Sequence, residues 1–188
     1  MNSVDRELWH QIISQDIKSL QVPFIDYNGE KKNWVIEVHD LISDEIRQIF
    51  NSIAEESFPI HSILPIDNFD YDDNKSMQAN NSSAYNFRFI VWGNSLSKHA
   101  YWFAVDINPM QNPYIKNEII LPEASNWLYD TRKKWTITKE IASIFQDHGW
   151  IRWWDREKPY LDYHHFEKRN KQVADIYIAL LRKHNISI

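Results

Sequence analysis

Four side chains of types that bind metal ions or carry protons lie in two short segments of this sequence. His99 and Asp106 are seven residues apart, and Asp162 and His165 are three apart near the C-terminal end. A catalytic zinc ion takes three protein ligands from imidazole and carboxylate groups and keeps a fourth position for water. Two histidines and one aspartate meet that count, and a second carboxylate can then accept the proton of the water.

The composition limits which other chemistry is available. The chain has 188 residues and no cysteine, which excludes thiolate ligands, cysteine nucleophiles and disulfides. The formal net charge of −5 argues against a partner made of nucleic acid, because such binders usually carry a basic patch or stripe. A triad of Ser97, His99 and Asp106 is formally available, but no G-x-S-x-G motif surrounds the serine. Spacing alone leaves metal binding and structural roles both open.

Strand geometry sets a condition for a shared metal. Successive side chains of a strand point to opposite faces, so two positions an odd number of residues apart face away from each other. His99 must therefore lie in a turn before the strand that carries Asp106. For the same reason we expect Asp162 at a bend that leads into the strand of His165. His164 is then expected to face the opposite side of that strand.

The elements that position these residues follow from the hydrophobic patterns. Apolar spacing predicts helices over residues 3–20, 43–55 (with Ser43 as N-cap), 136–148 and 171–183. Strands are predicted over residues 34–39, 84–92, 101–107 and 162–167. The polar segment 67–83 is predicted to be a long ordered loop. Helices at both ends of the chain around a few strands indicate the α+β class.

Length and terminal sequences give further expectations. We expect one domain over residues 1–188, with a helical N-terminal extension (1–20) and a C-terminal helix (170–188). Charged residues near the start predict that the chain has no signal peptide and is made in the cytoplasm. No apolar stretch approaches the ~20 residues of a membrane-spanning helix. We expect a monomer, because no long apolar heptad pattern is present.

Two separated motifs resemble the M15 metallopeptidase family. Residues 97–109 (SKHAYWFAVDINP) are similar to the family pattern S-x-H-x-x-G-x-A-x-D-I-N-P. Residues 162–166 (DYHHF) match its second pattern, D-x-x-H-F. Shorter similarities at residues 58–60, 72–73, 76–77, 82–88 and 112–114 point to the D-Ala-D-Ala carboxypeptidase-like branch.

The resemblance implies a role for individual residues. The zinc ligands of the family fall on His99, Asp106 and His165, and its general base falls on Asp162. The arginine that stabilises the polarised carbonyl oxygen falls on Arg88, for which a salt bridge to the acidic loop around residues 72–73 is the alternative. The hydroxyl of residue 97 is a candidate for orienting the imidazole of residue 99, since metal-bound imidazoles usually donate their other nitrogen to a nearby acceptor.

The resemblance also implies an activity and a fold. The activity is hydrolysis of peptidoglycan stem peptides by zinc-activated water, as an endopeptidase or a D,D-carboxypeptidase. An aspartate as base resembles the members that cut the L-Ala-D-Glu bond. The implied fold, similar to that of Hedgehog and D-Ala-D-Ala peptidases, is a small antiparallel sheet that carries the metal site between flanking helices. A cell-wall substrate without a signal peptide implies delivery to the periplasm or cell exterior by a phage or a secretion system.

Two departures from the family pattern leave an alternative open. Trp102 occupies the position of the family's glycine, and residues 149–154 (GWIRWW) replace its W-G-G-x-W stretch. We therefore expect a reshaped cleft in which Trp153 or Trp154 faces the substrate. The alternative function is a catalytically silent, zinc-bearing domain that binds cell-wall peptides.

Overall fold

The computed structural model describes residues 3–90, 95–123, 125, 129–152 and 160–169, and positions 171, 175, 178, 179, 182 and 183. The α-helices in this part of the chain are α1 (Ser3–Ile13), α2 (Ser43–Glu55), α3 (Asp73–Gln78) and α4 (Lys139–Asp147). The strands are β1 (Ile17–Ile25), β2 (Lys31–His39), β3 (Ser62–Ile63), β4 (Asn81–Ser82), β5 (Ala104–Asp106), β6 (Tyr114–Lys116), β7 (Ile119–Leu121), β8 (Ile151–Arg152), β9 (Tyr160–Asp162) and β10 (His165–Glu167). Helices and small sheets are mixed along the chain, so the predicted α+β class is confirmed.

A long antiparallel hairpin of β1 and β2 packs against α2. Alternate side chains of the hairpin are buried, as the two-residue period of a half-buried sheet requires. Gly29 in the connecting turn has φ of +83°, a conformation that a residue without Cβ adopts at no steric cost. The buried face of α2 completes this part of the core with Ile46, Ile49, Phe50 and Ile53.

A second sheet, with strand order β5-β10-β8, joins distant parts of the sequence. Its strands are antiparallel, and His165 lies directly opposite Asp106 in the register. Phe166, the next residue of β10, turns to the other face and stacks on Phe145 of α4 with ring centroids 3.8 Å apart. This packing ties the sheet to α4, which begins after the side-chain N-cap of Thr138.

A third sheet, with strand order β7-β6-β9, lies beside the chain segment that joins β9 to β10. Its register places Tyr114 opposite Asp162. The bend at residues 163–164 separates β9 from β10, so the two strands belong to different sheets. Asp162 therefore ends one strand, and His165 begins the next.

Three helix predictions differ from the structure at their ends, and the helix predicted over 136–148 is α4, Lys139–Asp147. The first helix stops at Ile13, and residues 17–20 belong to β1, because the apolar residues at 17 and 20 also fit the alternation of a strand. Ser43 is the first residue of α2 rather than its N-cap. The 3₁₀ helix Asp40–Ile42 runs directly into α2, so its backbone replaces a side-chain cap.

Strand predictions fail in the middle of the chain. The described residues of the segment 84–92 form no strand, and only isolated bridges pair Ser83 with Asp106 and Phe89 with Leu96. The strand predicted over 101–107 is limited to β5, because residues 98–101 form a 3₁₀ helix. The segment 67–83 is ordered, but it includes α3 and β4 and is not a loop throughout.

The C-terminal helix is described only in part. Positions 171, 175, 178, 179, 182 and 183 are helical, and the rest of the predicted helix 171–183 lies outside the described residues. The single-domain organisation stays a prediction. Within the described part of the chain, no helix has the length and apolar character needed to cross a bilayer.

Candidate metal centre

The buried side chains of His99, Asp106 and His165 lie close together, although His165 is distant from the other two in the sequence. His99 lies in the 3₁₀ helix Lys98–Tyr101, directly before β5, and Asp106 is the last residue of β5. His165 is the first residue of β10, which pairs with β5. The 3₁₀ helix turns the chain between residues 99 and 106, so the geometric condition for a shared ion is met.

The distances between the converging atoms are short. His99 Nε2 lies 3.1 Å from Asp106 Oδ2 and 3.1 Å from His165 Nδ1. His165 Nδ1 lies 2.9 Å from Asp106 Oδ1. Two zinc ligands at ordinary bond lengths in a tetrahedral site are separated by about 3.3 Å. The spacing of these donor atoms is therefore close to that of a zinc site.

The outer contacts of the two imidazoles fix which nitrogen carries a proton. His99 Nδ1 lies 2.7 Å from the Ala84 carbonyl oxygen, which can only accept, so this nitrogen is the donor. His165 Nε2 lies 3.4 Å from Glu167 Oε2 and donates to that carboxylate in the same way. Each imidazole thus turns its other nitrogen toward Asp106. Two imidazole nitrogens and a carboxylate within 3.1 Å of one another are held together by a shared proton or by a cation between them, so the donor set fits a divalent metal ion.

Electrostatics at the centre agree with this donor set. Burial alone raises the pKa of Asp106, but the neighbouring histidines hold that pKa well below its ordinary value. Burial lowers the pKa of His165, but hydrogen bonds to Asp106 and Glu167 raise it to about 10. The carboxylate is therefore charged, and a metal ion competes with a proton for His165 Nδ1.

A cleft of about 680 Å³ opens above this centre and is lined by His165, Asp162 and Arg88. Its wall also includes apolar and aromatic side chains, among them Met77, Ile90, Leu96, Tyr101, Tyr114 and Tyr160. Further cationic side chains line it, namely Lys98, Lys116, Arg169 and Lys171. The cleft thus combines an apolar wall with charges of both signs beside the candidate ligands.

Asp162 lies at the rim of the centre, at the end of β9. Its side chain is 18% exposed, and its nearest ionisable neighbour is His164, whose Nε2 lies 3.2 Å from Oδ1. Among the described residues, Oδ1 is buried and receives no aligned hydrogen bond. The predicted bend after Asp162 is present.

Arg88 forms the salt bridge that the sequence offered as its alternative role. Its Nε lies 3.0 Å from Asp73 Oδ2, and both side chains line the cleft. Burial lowers the pKa of Arg88, but the carboxylates of Asp73, Asp106 and Asp162 raise it above its ordinary value. Arg88 is therefore a fixed positive charge at the cleft, held by one carboxylate and close to two others.

The prediction that His164 faces away from the centre is wrong. Its Nε2 lies 3.2 Å from Asp162 and 3.9 Å from Asp106 Oδ2, and its Nδ1 lies 2.7 Å from the Asn112 carbonyl oxygen. The bend at residues 163–164 breaks the alternation on which that prediction depended. His164 is still outside the cluster of three residues whose ligand atoms all lie within 4.8 Å of one another.

The orienting contact predicted for Ser97 is also different. Its hydroxyl accepts a hydrogen bond from the backbone N–H of His99 and caps the 3₁₀ helix, so it does not reach the imidazole. The imidazole is oriented by the Ala84 carbonyl instead. Sequence gives no signal for a backbone acceptor of this kind. Glu167 could have been found, because it is two residues beyond His165 and shares its face of the strand.

Trp102 is not among the residues that line the cleft. Its side chain is fully buried, does not line the cleft, and packs against Tyr85 and His10. Its φ of 57° explains why glycine suits this position in the family pattern. Trp153 and Trp154, predicted to face the substrate, lie outside the described residues.

Comparison with known proteins adds one match. A family model described as D-alanyl-D-alanine carboxypeptidase, from the M15 peptidases, matches residues 92–168. Neither the curated proteins nor the solved structures give a significant match to the chain. The matched segment holds all three residues of the metal centre together with Asp162, and it supports the chain's membership of the M15 metallopeptidase family.

Proposed function

We propose that this chain is a zinc-dependent peptidase that hydrolyses peptidoglycan stem peptides, as an endopeptidase or as a D,D-carboxypeptidase. The observation that carries the proposal is the convergence of two imidazole nitrogens and the Asp106 carboxylate beneath a cleft. The family match supports a peptide as the substrate.

In this proposal His99, Asp106 and His165 hold the ion. When bound, a zinc ion would polarise the scissile carbonyl and lower the pKa of a water molecule, so that a strong nucleophile is available near neutral pH. The three side chains contribute one negative charge in total, so the centre keeps a net positive charge when a divalent ion is present. That residual charge is what a developing oxyanion requires.

Asp162 is the proposed general base. Its carboxylate lines the cleft beside His165, and the side chain is 18% exposed. It accepts the proton of the attacking water and later passes that proton to the leaving amine of the peptide. A positioned carboxylate in this role contributes typically ~100- to 10,000-fold in rate.

Arg88 is the proposed electrostatic partner of the carbonyl oxygen. The guanidinium lines the same cleft, and its salt bridge to Asp73 fixes the position of the charge rather than removing it. Loss of a donor that stabilises an oxyanion typically costs ~100- to 1000-fold in rate. The bridge from Arg88 to Asp73 is thus compatible with a catalytic role and gives it a fixed geometry.

The charge of the cleft supports a substrate that carries carboxylates. Lys98, Lys116 and Lys171 line it, although the whole chain has a net charge of −5. Stem peptides of peptidoglycan carry free carboxylates beside their amide bonds. The catalytically silent alternative was motivated by Trp102 and by the replaced W-G-G-x-W stretch. Trp102 packs in the core and not in the cleft, which removes one of these two grounds, and we favour the peptidase.

The test is digestion of purified peptidoglycan fragments with and without added zinc, followed by mass spectrometry. A zinc-dependent product is expected, and its mass identifies the L-Ala-D-Glu, D-Ala-D-Ala or cross-link bond as the one cut. The D162A variant serves as the inactive control. Folded, zinc-loaded protein that binds the fragments without cutting them would favour the silent binding domain instead.

A further inference from the structure

A second cavity, of about 470 Å³, lies apart from the cleft of the candidate metal centre. Its lining residues come from α1, from residues 35–37 of β2 and from residues 63–67, 71 and 83–85. None of them lines the cleft that opens above His165. We call this cavity the edge groove. Its volume is within the range of about 300–1,000 Å³ that is usual for ligand sites in proteins.

The register of the β1–β2 hairpin shows which backbone groups of β2 point away from β1. In an antiparallel pair, residues that exchange hydrogen bonds with the partner strand alternate with residues whose N–H and C=O point outward. His39 belongs to the outward set, because its N–H donates to the Trp102 carbonyl. Pro23 of β1 falls in the outward set of the same register, as a residue without an N–H should. Val35 and Glu37 also point outward, since each is an even number of residues from His39.

The outward backbone groups of Val35 and Glu37 form an open strand edge. Within the described part of the chain, neither residue makes a backbone hydrogen bond outside the hairpin. Both residues line the edge groove, and the Val35 side chain is 41% exposed. Unpaired N–H and C=O groups along a strand edge are a template for one more extended segment. The edge groove therefore offers main-chain hydrogen bonds as well as a cavity.

The walls of the edge groove are apolar, and its rim is acidic. The apolar side chains are those of Val35, Ile63, Leu64, Pro65, Ile66 and Tyr71. The carboxylates belong to Glu7, Glu37 and Asp67, and no Lys or Arg among the described residues lines the groove. The cleft of the metal centre differs, since several Lys and Arg side chains line it. Charge complementarity thus favours a positively charged occupant for the edge groove.

We propose that the edge groove binds an extended segment of a partner protein, in which Lys or Arg side chains alternate with apolar ones. The segment adds a strand to β2 and pairs with the outward groups of Val35 and Glu37. Main-chain hydrogen bonds supply affinity, and side chains at alternate positions supply selectivity. A basic side chain opposite Glu37 forms a favourable cross-strand pair. This binding site goes beyond the proposed peptidase and does not depend on it, because the groove and the cleft share no residue.

Synthetic peptides test the proposal on the wild-type protein. The probe is a short blocked peptide in which valine and lysine alternate, and its Kd is measured by isothermal titration calorimetry at low ionic strength. A control peptide with glutamate in place of lysine should bind at least about tenfold more weakly. Two further versions carry N-methyl groups on all valine or on all lysine nitrogens. At least one of them should lose binding, because each lacks the N–H donors of one strand edge.

Three outcomes of the peptide experiment would overturn the proposal. They are absence of saturable binding by the lysine peptide, equal binding of the lysine and glutamate peptides, and full binding by both N-methylated versions.

Variants of β2 locate the binding in the edge groove. V35P removes an N–H that points away from β1, so the ladder of the hairpin is retained, and V35T is the matched control that keeps the N–H. The lysine peptide should bind V35P at least about tenfold more weakly than wild type, and V35T within about threefold of it. E37K should reverse the preference in favour of the glutamate peptide. Urea unfolding midpoints report whether each variant is folded, and if V35P is not, E37K decides. Wild-type binding in folded V35P, or an unchanged preference in E37K, would overturn the proposal.

A second copy of this chain is the competing occupant of the open edge. Sedimentation equilibrium of wild type and V35P over a range of concentrations tests it. We expect a monomer in both, which leaves the groove to a partner protein. A wild-type dimer that V35P dissociates would show that a second copy fills the groove, and it would overturn the proposal.

Discussion

The indole of Trp102 stacks on the ring of Tyr85, with ring centroids 3.6 Å apart and an angle of 12° between the ring planes. The backbone of Trp102 has φ of 57°, in the left-handed region, which costs an L-residue about 1–2 kcal/mol. The side chain is nevertheless fully buried. The packing gained by the indole must therefore outweigh the strain in its backbone.

Replacement of Trp102 by glycine is expected to destabilise the fold. Loss of a buried tryptophan costs about 3–5 kcal/mol, and relief of the left-handed strain returns about 1–2 kcal/mol. We expect a net loss of about 1–4 kcal/mol in the free energy of unfolding, measured by urea denaturation. W102A is the matched control, because it leaves a similar cavity but keeps the strain. It should be less stable than W102G, and the reverse order would refute this account.

Substitution of Asp162 by asparagine is expected to remove activity but not structure. The amide keeps the size of the side chain but cannot accept the proton of the attacking water. We expect kcat on the cleaved stem peptide to fall by ~100- to 10,000-fold, with zinc content and the unfolding midpoint unchanged. Asp147 at the exposed end of α4 provides the control, since D147N makes the same chemical change at a residue that does not line the cleft. Full activity in D162N would exclude Asp162 as the base.

The adjacent histidines are expected to differ in their effect on the metal. H165A removes one donor of the cluster, so zinc content after dialysis should fall well below one ion per chain. H164A leaves the three donors in place and should keep zinc near one ion per chain. The measurement is the number of zinc ions per chain in both variants and in the wild type, determined by elemental analysis. Loss of zinc from H164A alone would show that the ligand assignment is reversed.

His39 is expected to make stability depend on pH. Burial lowers its pKa, and its Nδ1 accepts a hydrogen bond from the Leu41 N–H, which requires the unprotonated nitrogen. Below the unfolded-state pKa of about 6.5, the unfolded chain binds a proton that the folded chain does not. Stability should therefore decline as the pH falls from about 6.5 through the lowered folded-state pKa, and be unaffected by this group above pH 6.5.

The variant H39N tests that prediction. Its side-chain oxygen can accept from Leu41 but does not titrate, so it keeps the contact and removes the proton. The measurement is the unfolding midpoint in urea between pH 7.5 and pH 5. The wild type should lose stability relative to H39N across this range. Parallel curves for the two proteins would contradict the role assigned to His39.

The sequence predicts the convergence of residues 99, 106 and 165 better than it predicts the strands around them. The types of side chain and the order of the motifs locate residues 99, 106 and 165. A metal site needs those side-chain types whatever secondary structure carries them. The segment 84–92 has a strand-like pattern, but its backbone is used elsewhere: the Ala84 carbonyl orients His99, and the Asn86 N–H donates to the His99 carbonyl. Such backbone contacts carry no signature in side-chain types.

The orientation of His164 could not be predicted for a related reason. Two neighbouring residues face apart only where the strand is continuous, and the bend at 163–164 depends on contacts with distant residues. The Tyr163 N–H donates to the Pro113 carbonyl, and the Ile107 N–H donates to the His164 carbonyl. Sequence patterns within a few residues do not contain that information.

The direct pairing of Asp106 with His165 has a consequence for the lifetime of the protein. These residues are 59 positions apart, so an ion held by both closes a long loop in a chain that has no cysteine for a covalent bridge. At free zinc a hundredfold above the dissociation constant, such an ion adds about 2.7 kcal/mol to the stability of the folded state. Under the proposed function, the zinc-free chain would therefore unfold, and be cleaved by proteases, more readily than the zinc-loaded chain.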